Sequence, residues 1–552
     1  MAIKIQGSTV LDYDGASSSS TNIAVGLNAL TLNTTGVQNT AVGRASLYSN
    51  TSGTLNTAVG YQALYSNTTG VANIAVGLNS LYSNTTGYYN TAVGYYALYS
   101  NTTGVNNTSV GFNSLYSNTT GYFNIAVGLA ALEKNTSGYY NTAVGYTALY
   151  SNTTGIYNTA VGGLALYSNT TGAQNTAVGF NSLYSNTTGT GNVAIGAGAM
   201  RLNTTGVDNT AVGYLALELN TIGIQNVAIG KYALYANTTG LNNTAVGTQS
   251  LFSNTTGISN VAVGLYALLS NTIGAYNTAV GYAALYSNTT GVNNTAVGFQ
   301  ALYSNTTGIS NVAVGFNSLY SNTTGVYNTA VGLSALISNT IGIYNTAVGT
   351  QALNSNTTGN NNTAVGLNAL FSNTTGVNNT AVGQTAGSNI TTGTNNTLLG
   401  YNAQPSSATV SNEFTLGDGN ISNLRCADTS ISTLSDIRDK TNIQNIPVGL
   451  NYIKAVRPVM FDWNTRDRTR RGKKDFGFIA QELDIVEQQF GYSQYTRLVH
   501  KNNPDKWEAD PMKMFPILIR AVQQQQEMID NLLQRINSLE NNWWQSIFQI
   551  HQ

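Results

Sequence analysis

Residues 56–72 read NTAVGYQALYSNTTGVA, and this 17-residue pattern recurs with small changes along most of the chain. Its first Asn returns every 17 residues from Asn22 to Asn396, which makes 22 complete units over residues 22–395 without an insertion or deletion. A fixed period of this size is typical of a solenoid or another stacked array. Positions in the unit are numbered 1 to 17 from this Asn.

The unit contains the residues of one short strand, two turns and one core position. Positions 2 to 4 hold small and β-branched side chains, which favour a strand. Glycine at positions 5 and 15 supplies positive φ or close backbone approach, so each unit turns at least twice. Position 9 is leucine in nearly every unit, as in Leu47 and Leu64, and is predicted to enter a core. Position 10 tolerates Tyr, Thr, Glu and Arg and is predicted to face outward.

Seventeen residues suffice for one coil of a β-solenoid, with the next coil about 4.8 Å away. The recurring SNTTG is then a corner whose Asn and Thr side chains bond to nearby backbone and form ladders along the fibre. Strict spacing is needed because one inserted residue would move every later ladder off its partners. The pattern predicts a mainly β, elongated solenoid or β-roll fibre, with a shaft on the order of 100 Å long.

The small core of such a coil predicts that several chains share one core. Burying a leucine contributes roughly 2 kcal/mol, whereas ordering one residue's backbone costs on the order of 1 kcal/mol or more. The TAVG segment also resembles the strand of trimeric autotransporter adhesin heads. In that family three chains pack side by side as a left-handed β-roll, so the resemblance implies a homotrimer.

The chain changes composition near residue 400. It has 22 basic and 22 acidic residues, yet the repeats over residues 22–395 hold only seven charged side chains, while residues 435–552 hold 30. A nearly uncharged shaft offers no electrostatic surface to nucleic acid. The single Cys426 excludes an intrachain disulfide framework. His500 and His551 are too few for a metal site within one chain, although three copies of His551 could meet on an axis, and no cofactor is predicted.

No apolar run approaches the roughly 20 residues that span a bilayer, and no secretion signal is recognised. Membrane insertion is therefore not expected, and synthesis is expected in the cytoplasm. NTT is a glycosylation sequon in most units, although a polar turn explains it as well. The units lack the Asp of calcium-binding repeats. They also hold almost no carboxylates, whereas glycoside hydrolysis needs two, so no polysaccharide-degrading activity is predicted.

Tyrosine is frequent at position 10 and at the variable positions 6, 16 and 17, as in Tyr61, Tyr88 and Tyr89. These side chains are predicted to form exposed aromatic rows among uncharged Asn and Thr. Such rows suit sugar rings and hydroxyl groups better than charged ligands. The alternative is that these tyrosines pack neighbouring chains.

Different motifs follow residue 411. EFTLG (413–417) and ISNLRC (421–426) alternate like two more strands. SDIRDKTNI then places Ser435, Asp436 and Lys440 in one polar run, which by itself predicts a helix start with Ser435 or Asp436 as N-cap. The basic stretch NTRDRTRRGKKDFG (464–477), which follows VMFDW, is predicted to be a solvated hairpin loop rather than a nucleic-acid patch.

The last segment has the spacing of a coiled coil. One seam position is occupied by Phe515, Val522, Ile529, Ile536 and Trp543, and the other by Leu518, Leu532 and Leu539, with Gln525 as the polar exception. About four heptads predict a coiled-coil helix over about residues 512–545. The alternative is a helix packed on its own domain.

Three motifs in order carry a closer resemblance: SDIRDKTNI, then GLNYIKAVRPVMFDW (449–463), then GFIAQEL (477–483), followed by the terminal helix. They resemble the C-terminal intramolecular chaperone of phage endosialidases and tail fibres, an auto-cleaving serine peptidase family. The resemblance covers about 115 residues. The start MAIKIQGSTV and the EFTLG region also look like marine phage tail-fibre proteins.

This resemblance implies a self-cleavage site. The scissile bond would be Leu434–Ser435, with Ser435 as the nucleophile, Lys440 as its base and Asp436 orienting either group. A serine hydroxyl needs a neighbour to take its proton, and a lysine does so only if burial lowers its pKa. Assembly of several chains would supply that burial. No activity on an external substrate is predicted.

The predicted organisation is an N-terminal attachment segment (1–21), a shaft (22–395), a β-rich transition (396–434) and a small α+β chaperone domain (435–552). The predicted function is that of a structural phage tail fibre, found in the virion, which attaches to a host cell. Its predicted partners are two further copies, a host receptor for which a glycan is one candidate, and other tail or baseplate proteins at residues 1–21. The alternatives are a cell-surface or environmental adhesive filament with the same chaperone, and an ice-binding solenoid with threonine ladders.

Overall fold

The computed structural model of the protein describes residues 3–5, 8–11, 22–421, 425, 435–464, 471–501 and 507–550. The chain forms two compact units, Met1–Leu367 and Asn368–Gln552. The first unit begins with two antiparallel strands, Ile3–Ile5 (β1) and Ser8–Leu11 (β2). It continues as a parallel β-solenoid, which confirms the predicted fold class.

Each solenoid turn contributes one three-residue strand, formed by positions 2 to 4 of the repeat. The strand pairs in parallel and in register with that of the next turn, so that Thr57 lies opposite Ile74 and Val59 opposite Val76. One repeat is therefore one coil, as predicted. In the first unit these strands, β3 to β23, are Ile23–Val25, Thr40–Val42, Thr57–Val59, Ile74–Val76, Thr91–Val93, Thr108–Val110, Ile125–Val127, Thr142–Val144, Thr159–Val161, Thr176–Val178, Val193–Ile195, Thr210–Val212, Val227–Ile229, Thr244–Val246, Val261–Val263, Thr278–Val280, Thr295–Val297, Val312–Val314, Thr329–Val331, Thr346–Val348 and Thr363–Val365.

The core of each coil is closed within a single chain. The alanine in the middle of the strand and the leucine at position 9 point inward, and both Ala58 and Leu64 are fully buried. Leu64 has a left-handed backbone with φ of 53°. That conformation costs roughly 1–2 kcal/mol for a residue with a Cβ, and burial of the leucine offsets it. Because the leucines are already buried in one chain, their burial does not itself require a core shared between chains.

The two glycines of the repeat serve different needs. Gly60, at position 5, has φ of 138°, and a Cβ there would lie 2.4 Å from the carbonyl oxygen of Gly77 in the next turn. Gly70, at position 15, is needed for close approach, because its Cβ would lie 2.4 Å from the carbonyl oxygen of Gly87. Real Cβ atoms do not come this close to backbone, so both positions exclude a side chain while the turns keep their spacing.

The SNTTG corner is held by side chains that bond from turn to turn. The Asn67 amide donates to Oδ1 of Asn50 in the preceding turn at 2.8 Å and to the Gly70 carbonyl of its own corner at 3.2 Å. The Thr68 hydroxyl donates to the Thr85 carbonyl at 3.0 Å. The predicted corner and its ladders are confirmed. Asn67 belongs to an NTT sequon, and its amide is fully buried, so the folded corner does not present it for glycosylation.

A second asparagine ladder, at position 1, runs through the interior. Asn73 donates its backbone N–H to Oδ1 of Asn56 at 3.0 Å and its side-chain amide to the Gly87 carbonyl at 2.8 Å. Its side chain is fully buried. Hydrogen-bonded amides therefore fill much of the interior, and each one would leave unpaired backbone groups behind if it were removed.

The tyrosines at position 10 stack into columns along the shaft. The rings of Tyr48, Tyr65 and Tyr82 are nearly parallel, with centroids 5.2 and 5.0 Å apart. They are half-buried rather than fully outward-facing. In two later turns, Arg201 and Glu218 replace tyrosine at position 10 and form an ion pair of 2.7 Å with each other. Column-forming side chains thus add stacking or ion pairing to the backbone bonds between turns.

In the second unit, three solenoid strands, Thr380–Val382 (β24), Thr397–Leu399 (β25) and Phe414–Leu416 (β26), pair in parallel order. The last of these confirms the strand predicted for EFTLG, whereas most of ISNLRC lies outside the described residues. The elements that follow are a 3-10 helix Ile437–Asp439, α1 Leu450–Ala455, β27 Val459–Asp462, β28 Lys474–Gly477, α2 Ala480–Phe490, α3 Ser493–Thr496, β29 Val499–His500, β30 Glu508–Ala509, a 3-10 helix Pro511–Met514 and α4 Phe515–Ile550.

The small C-terminal region contains two hairpins and the long terminal helix. Strands β27 and β28 pair antiparallel on either side of the basic stretch, so the predicted hairpin is confirmed. Residues 465–470 of the predicted loop lie outside the described residues. The core consists of Val448, Tyr452, Val486, Leu498 and Ile517, which come from α1, α2, α4 and the segments beside them.

Candidate functional site

The polar run SDIRDKTNI folds into a single turn of 3-10 helix. Asp436 is its N-cap, and Oδ1 of Asp436 accepts a hydrogen bond from the Arg438 N–H at 2.8 Å. The turn ends where the Lys440 N–H donates to the Ile437 carbonyl at 3.2 Å. An aspartate that satisfies the free N–H groups of a first turn is a common start signal, and the sequence predicted it here.

This turn brings Ser435 and Lys440 together. Nζ of Lys440 lies 2.5 Å from Oγ of Ser435 and 3.4 Å from the Ser435 carbonyl oxygen. A nucleophile and its base must lie within hydrogen-bond distance, about 2.6–3.2 Å and often looser in a resting site. The two side chains that the resemblance selected are thus in direct contact. Both are exposed to solvent in the single chain.

Asp436 points its carboxylate at Arg438 rather than at this pair. Nε of Arg438 lies 3.0 Å from Oδ1, and Nη2 lies 2.6 Å from Oδ2. The hydrogen bonds from Arg438 hold the pKa of Asp436 below its usual range. Asp436 therefore stabilises the turn that presents Ser435 and Lys440, and a direct orienting role for it stays a prediction. Leu434, the other half of the predicted scissile bond, lies outside the described residues.

Several polar contacts elsewhere in the C-terminal region were not predicted from the sequence. The buried carboxylate of Glu487 on α2 accepts hydrogen bonds from the Leu498 N–H at 2.7 Å and from the Thr496 hydroxyl. Burial, together with the nearby Glu487, raises the pKa of Tyr452 to about 12. Oε1 of Gln524 on α4 accepts from the Leu450 N–H at 2.8 Å, at the start of α1. These contacts tie α1, α2 and α4 into one domain.

The terminal helix has one face packed and another face free. Ile517 and Ala521 are buried against the domain, so the predicted alternative of own-domain packing holds for the first turns. The seam residues use a different face. Ile529, Leu532 and Ile536 are all about half exposed in the single chain. The long helix is confirmed, and its association into a coiled coil stays a prediction.

Comparison with known proteins finds a family match that includes this turn. Residues 435–492 match the Peptidase_S74 family, described as the chaperone of endosialidase. No curated protein and no solved structure matches the chain. The match covers the turn with Ser435 and Lys440 and continues through α2. A β-solenoid followed by an endosialidase chaperone domain fits a protein of the tail fibre or tailspike kind.

Two further features of the described residues bear on function. No group of three or more His, Cys, Asp or Glu side chains among them is placed to hold a metal ion. None of their helices combines the length and the apolar character that crossing a membrane requires.

Proposed function

We propose that the protein is a homotrimeric viral tail fibre for host attachment, whose C-terminal chaperone, residues 435–552, removes itself by cleaving the Leu434–Ser435 bond. The observation that carries the proposal is the 2.5 Å contact between Oγ of Ser435 and Nζ of Lys440, at the start of the region that matches the endosialidase chaperone family. The family match begins at Ser435, which would become the new N-terminus, and the contact involves the hydroxyl of the same residue.

The cleavage chemistry balances with the side chains present and one water. Oγ of Ser435 attacks the carbonyl carbon of Leu434, its proton passes to the Lys440 amine, and the C–N bond gives way to an ester. The α-amine of Ser435, released from the peptide bond, takes the proton from Lys440. Water then hydrolyses the ester to the Leu434 carboxylate and the free Ser435 hydroxyl. Proximity favours the attack, because the hydroxyl belongs to the residue next to the bond.

Solvent exposure supplies a reason for cleavage to wait for assembly. A lysine amine accepts a proton only when it is neutral, and removal from water favours the neutral form. Lys440 is exposed in one chain. Packing of neighbouring chains around the turn would desolvate the pair, so that the bond is cut only in an assembled fibre. After its chaperone has left, the shaft would be kinetically trapped in its folded form.

Two exposed apolar surfaces support a trimer. The first is the seam of α4, which a coiled coil would cover. The second is the outer face of the ladder, where positions 2 and 4 are Thr, Val or Ile in every strand from β3 to β23. Ile74 and Val76 in this strip are 42% and 36% exposed. A stable interface buries about 800 Å² per partner, and the 21 strands of this strip would reach that area if each contributed roughly 40 Å².

Replacement of Ser435 by alanine is expected to leave a folded trimer of full-length chains, because the nucleophile alone is lost. Replacement of Lys440 by alanine is expected to slow cleavage by about 100-fold or more, as loss of a general base does. Lys454→Ala is the matched control, since it removes an exposed lysine from α1 of the same domain. Denaturing gels during expression measure the cleaved fraction.

The wild-type protein and the Lys454→Ala variant should yield the same two fragments. Cleavage of Ser435→Ala at the same bond would show that a host protease, and not Ser435, is responsible. Equal cleavage rates for Lys440→Ala and Lys454→Ala would remove Lys440 from the mechanism.

A further inference from the structure

The shaft places large aromatic side chains where the backbone disfavours them. At position 17 every turn has a left-handed conformation, and seven turns put an aromatic residue there with φ between 53° and 58°. They are Tyr89, Phe123, Tyr140, Tyr157, Tyr276, Tyr327 and Tyr344. Other turns use Asn at the same position, as in Asn106 and Asn242, with φ of 55° and 58°. Asn adopts this conformation more readily than a bulky side chain does.

These aromatic side chains are not buried enough to offset the cost of their left-handed backbone conformation. Phe123, Tyr140 and Tyr157 are 44%, 43% and 50% exposed, respectively. Their packing gain is limited to stacking on one another, and an unfavourable conformation with so small a gain points to a functional constraint. These three rings therefore mark a candidate ligand surface.

The rings belong to an aromatic patch of five side chains, Tyr122, Phe123, Tyr139, Tyr140 and Tyr157. Phe123, Tyr140 and Tyr157 stack as one column, with centroids 5.0 and 5.2 Å apart and ring planes within 6°. Tyr122 and Tyr139 form a second column beside it, at 4.7 Å. At these distances the rings are offset, so the patch is a stepped surface that repeats once per turn.

Asp208, in a later turn, is the one charged residue of the shaft at a repeat position that the patch uses. Among the turns that carry the patch, the charged residues are Glu133 and Lys134, at positions 10 and 11, whereas the patch occupies positions 16 and 17. The patch therefore offers ring surface and phenol hydroxyls without a charge to attract an ionic ligand. A ligand that matches it is neutral, has C–H groups to lie against rings and has hydroxyls to bond to phenols.

We propose that the aromatic patch binds an extended neutral polysaccharide that lies along the shaft axis. One ring per column per turn gives a repeat of about 5 Å, comparable to the advance per sugar in an extended pyranose chain. Successive sugars then meet successive rings, and weak contacts add up along the polymer. The inference deepens the proposed host-attachment function, because it names the class of receptor.

The repeat itself supplies conservative variants for the test. Phe123→Asn, Tyr140→Asn and Tyr157→Asn, combined in one chain, introduce the residue that Asn106 and Asn242 show to be compatible with this backbone. The matched control combines Gln38→Asn, Gln174→Asn and Gln225→Asn, at the same position of turns without the patch. Wild type and both variants, each as purified after expression of the whole chain, are tested by affinity electrophoresis through hydroxyethylcellulose, galactomannan and dextran, and by calorimetry with cellohexaose and cellobiose.

Wild type and the glutamine control are expected to be retarded by at least one of the extended polymers and to bind a hexasaccharide more tightly than a disaccharide. The aromatic variant should lose at least about tenfold in affinity, because three ring contacts disappear. Unchanged binding by that variant, or no retardation of wild type by any of the polymers, overturns the proposal. So does dissociation of the variant into single chains, which would make a second copy the occupant of the patch. Cleavage at Leu434–Ser435, followed in the same samples, tests the proposed function separately.

Discussion

Alanine in place of Gly162 is expected to destabilise the shaft by about 3 kcal/mol or more, since it combines a strained backbone with a clash. Gly162 has φ of 132°, and a Cβ there would lie 2.8 Å from the carbonyl carbon and oxygen of Gly179 in the next turn. Backbone packed between two turns cannot move away without breaking ladder bonds on both sides. Thermolysin resistance and the temperature of unfolding measure the effect.

The neighbouring glycine provides the control. Gly163 has no positive φ, and the nearest atom to its added Cβ is Cδ2 of Phe180, at 3.5 Å. Gly163→Ala is therefore expected to keep the protease resistance and unfolding temperature of wild type. Equal effects of the two substitutions would contradict the stacking distances on which the shaft is built.

Aspartate at two seam positions of α4, Ile529→Asp with Ile536→Asp, is expected to abolish both trimer formation and self-cleavage. In a coiled coil these carboxylates would be gathered in the seam without partners, and burying unpaired charge is costly. Neither residue belongs to the core of its own domain, so the single domain should still fold. Light scattering measures the mass of the assembly, and denaturing gels measure cleavage.

Gln534→Asp with Asn541→Asp adds the same charge to the side of the helix opposite the seam. That variant should assemble and cleave like wild type. A seam variant that still forms trimers would show that the exposed face of α4 is not the association surface. A seam variant that cleaves as a single chain would separate cleavage from assembly.

Much of the shaft could be predicted because, in an exact repeat, equal positions of successive units pair with one another. The 17-residue period indicated one coil per unit, and the parallel pairing of equal positions, such as Thr57 with Ile74, follows from it. The left-handed backbone at Leu64 could not be predicted, since propensity rules assign that conformation to glycine or asparagine. The full burial of Asn73 could not be predicted either. An amide is buried in a core only where backbone groups are placed to hydrogen-bond to it, and the sequence does not show where those groups lie.

The candidate site, like the shaft, could be predicted from the sequence only in part. The spacing of Ser435 and Lys440 allowed one turn of chain to bring them together, and their contact is local enough to anticipate. The partner of Asp436 was not anticipated, because Arg438 lies close enough to compete for the same carboxylate. The contact of Gln524 with Leu450 joins segments 74 residues apart, so no local pattern predicts it. The contacts of Glu487 reach from α2 to residues 9 and 11 positions later, and they depend on how the chain turns back after α2.

Mass spectrometry of the purified wild-type protein, under denaturing and then native conditions, distinguishes a self-cleaved trimer from an uncut single chain. Under denaturing conditions we expect two chains in place of the 58.2 kDa polypeptide, one ending at Leu434 and the other beginning at Ser435. Under native conditions we expect three copies of the longer fragment in one complex. A single uncut chain that remains a monomer would contradict both the self-cleaving chaperone and the trimeric fibre.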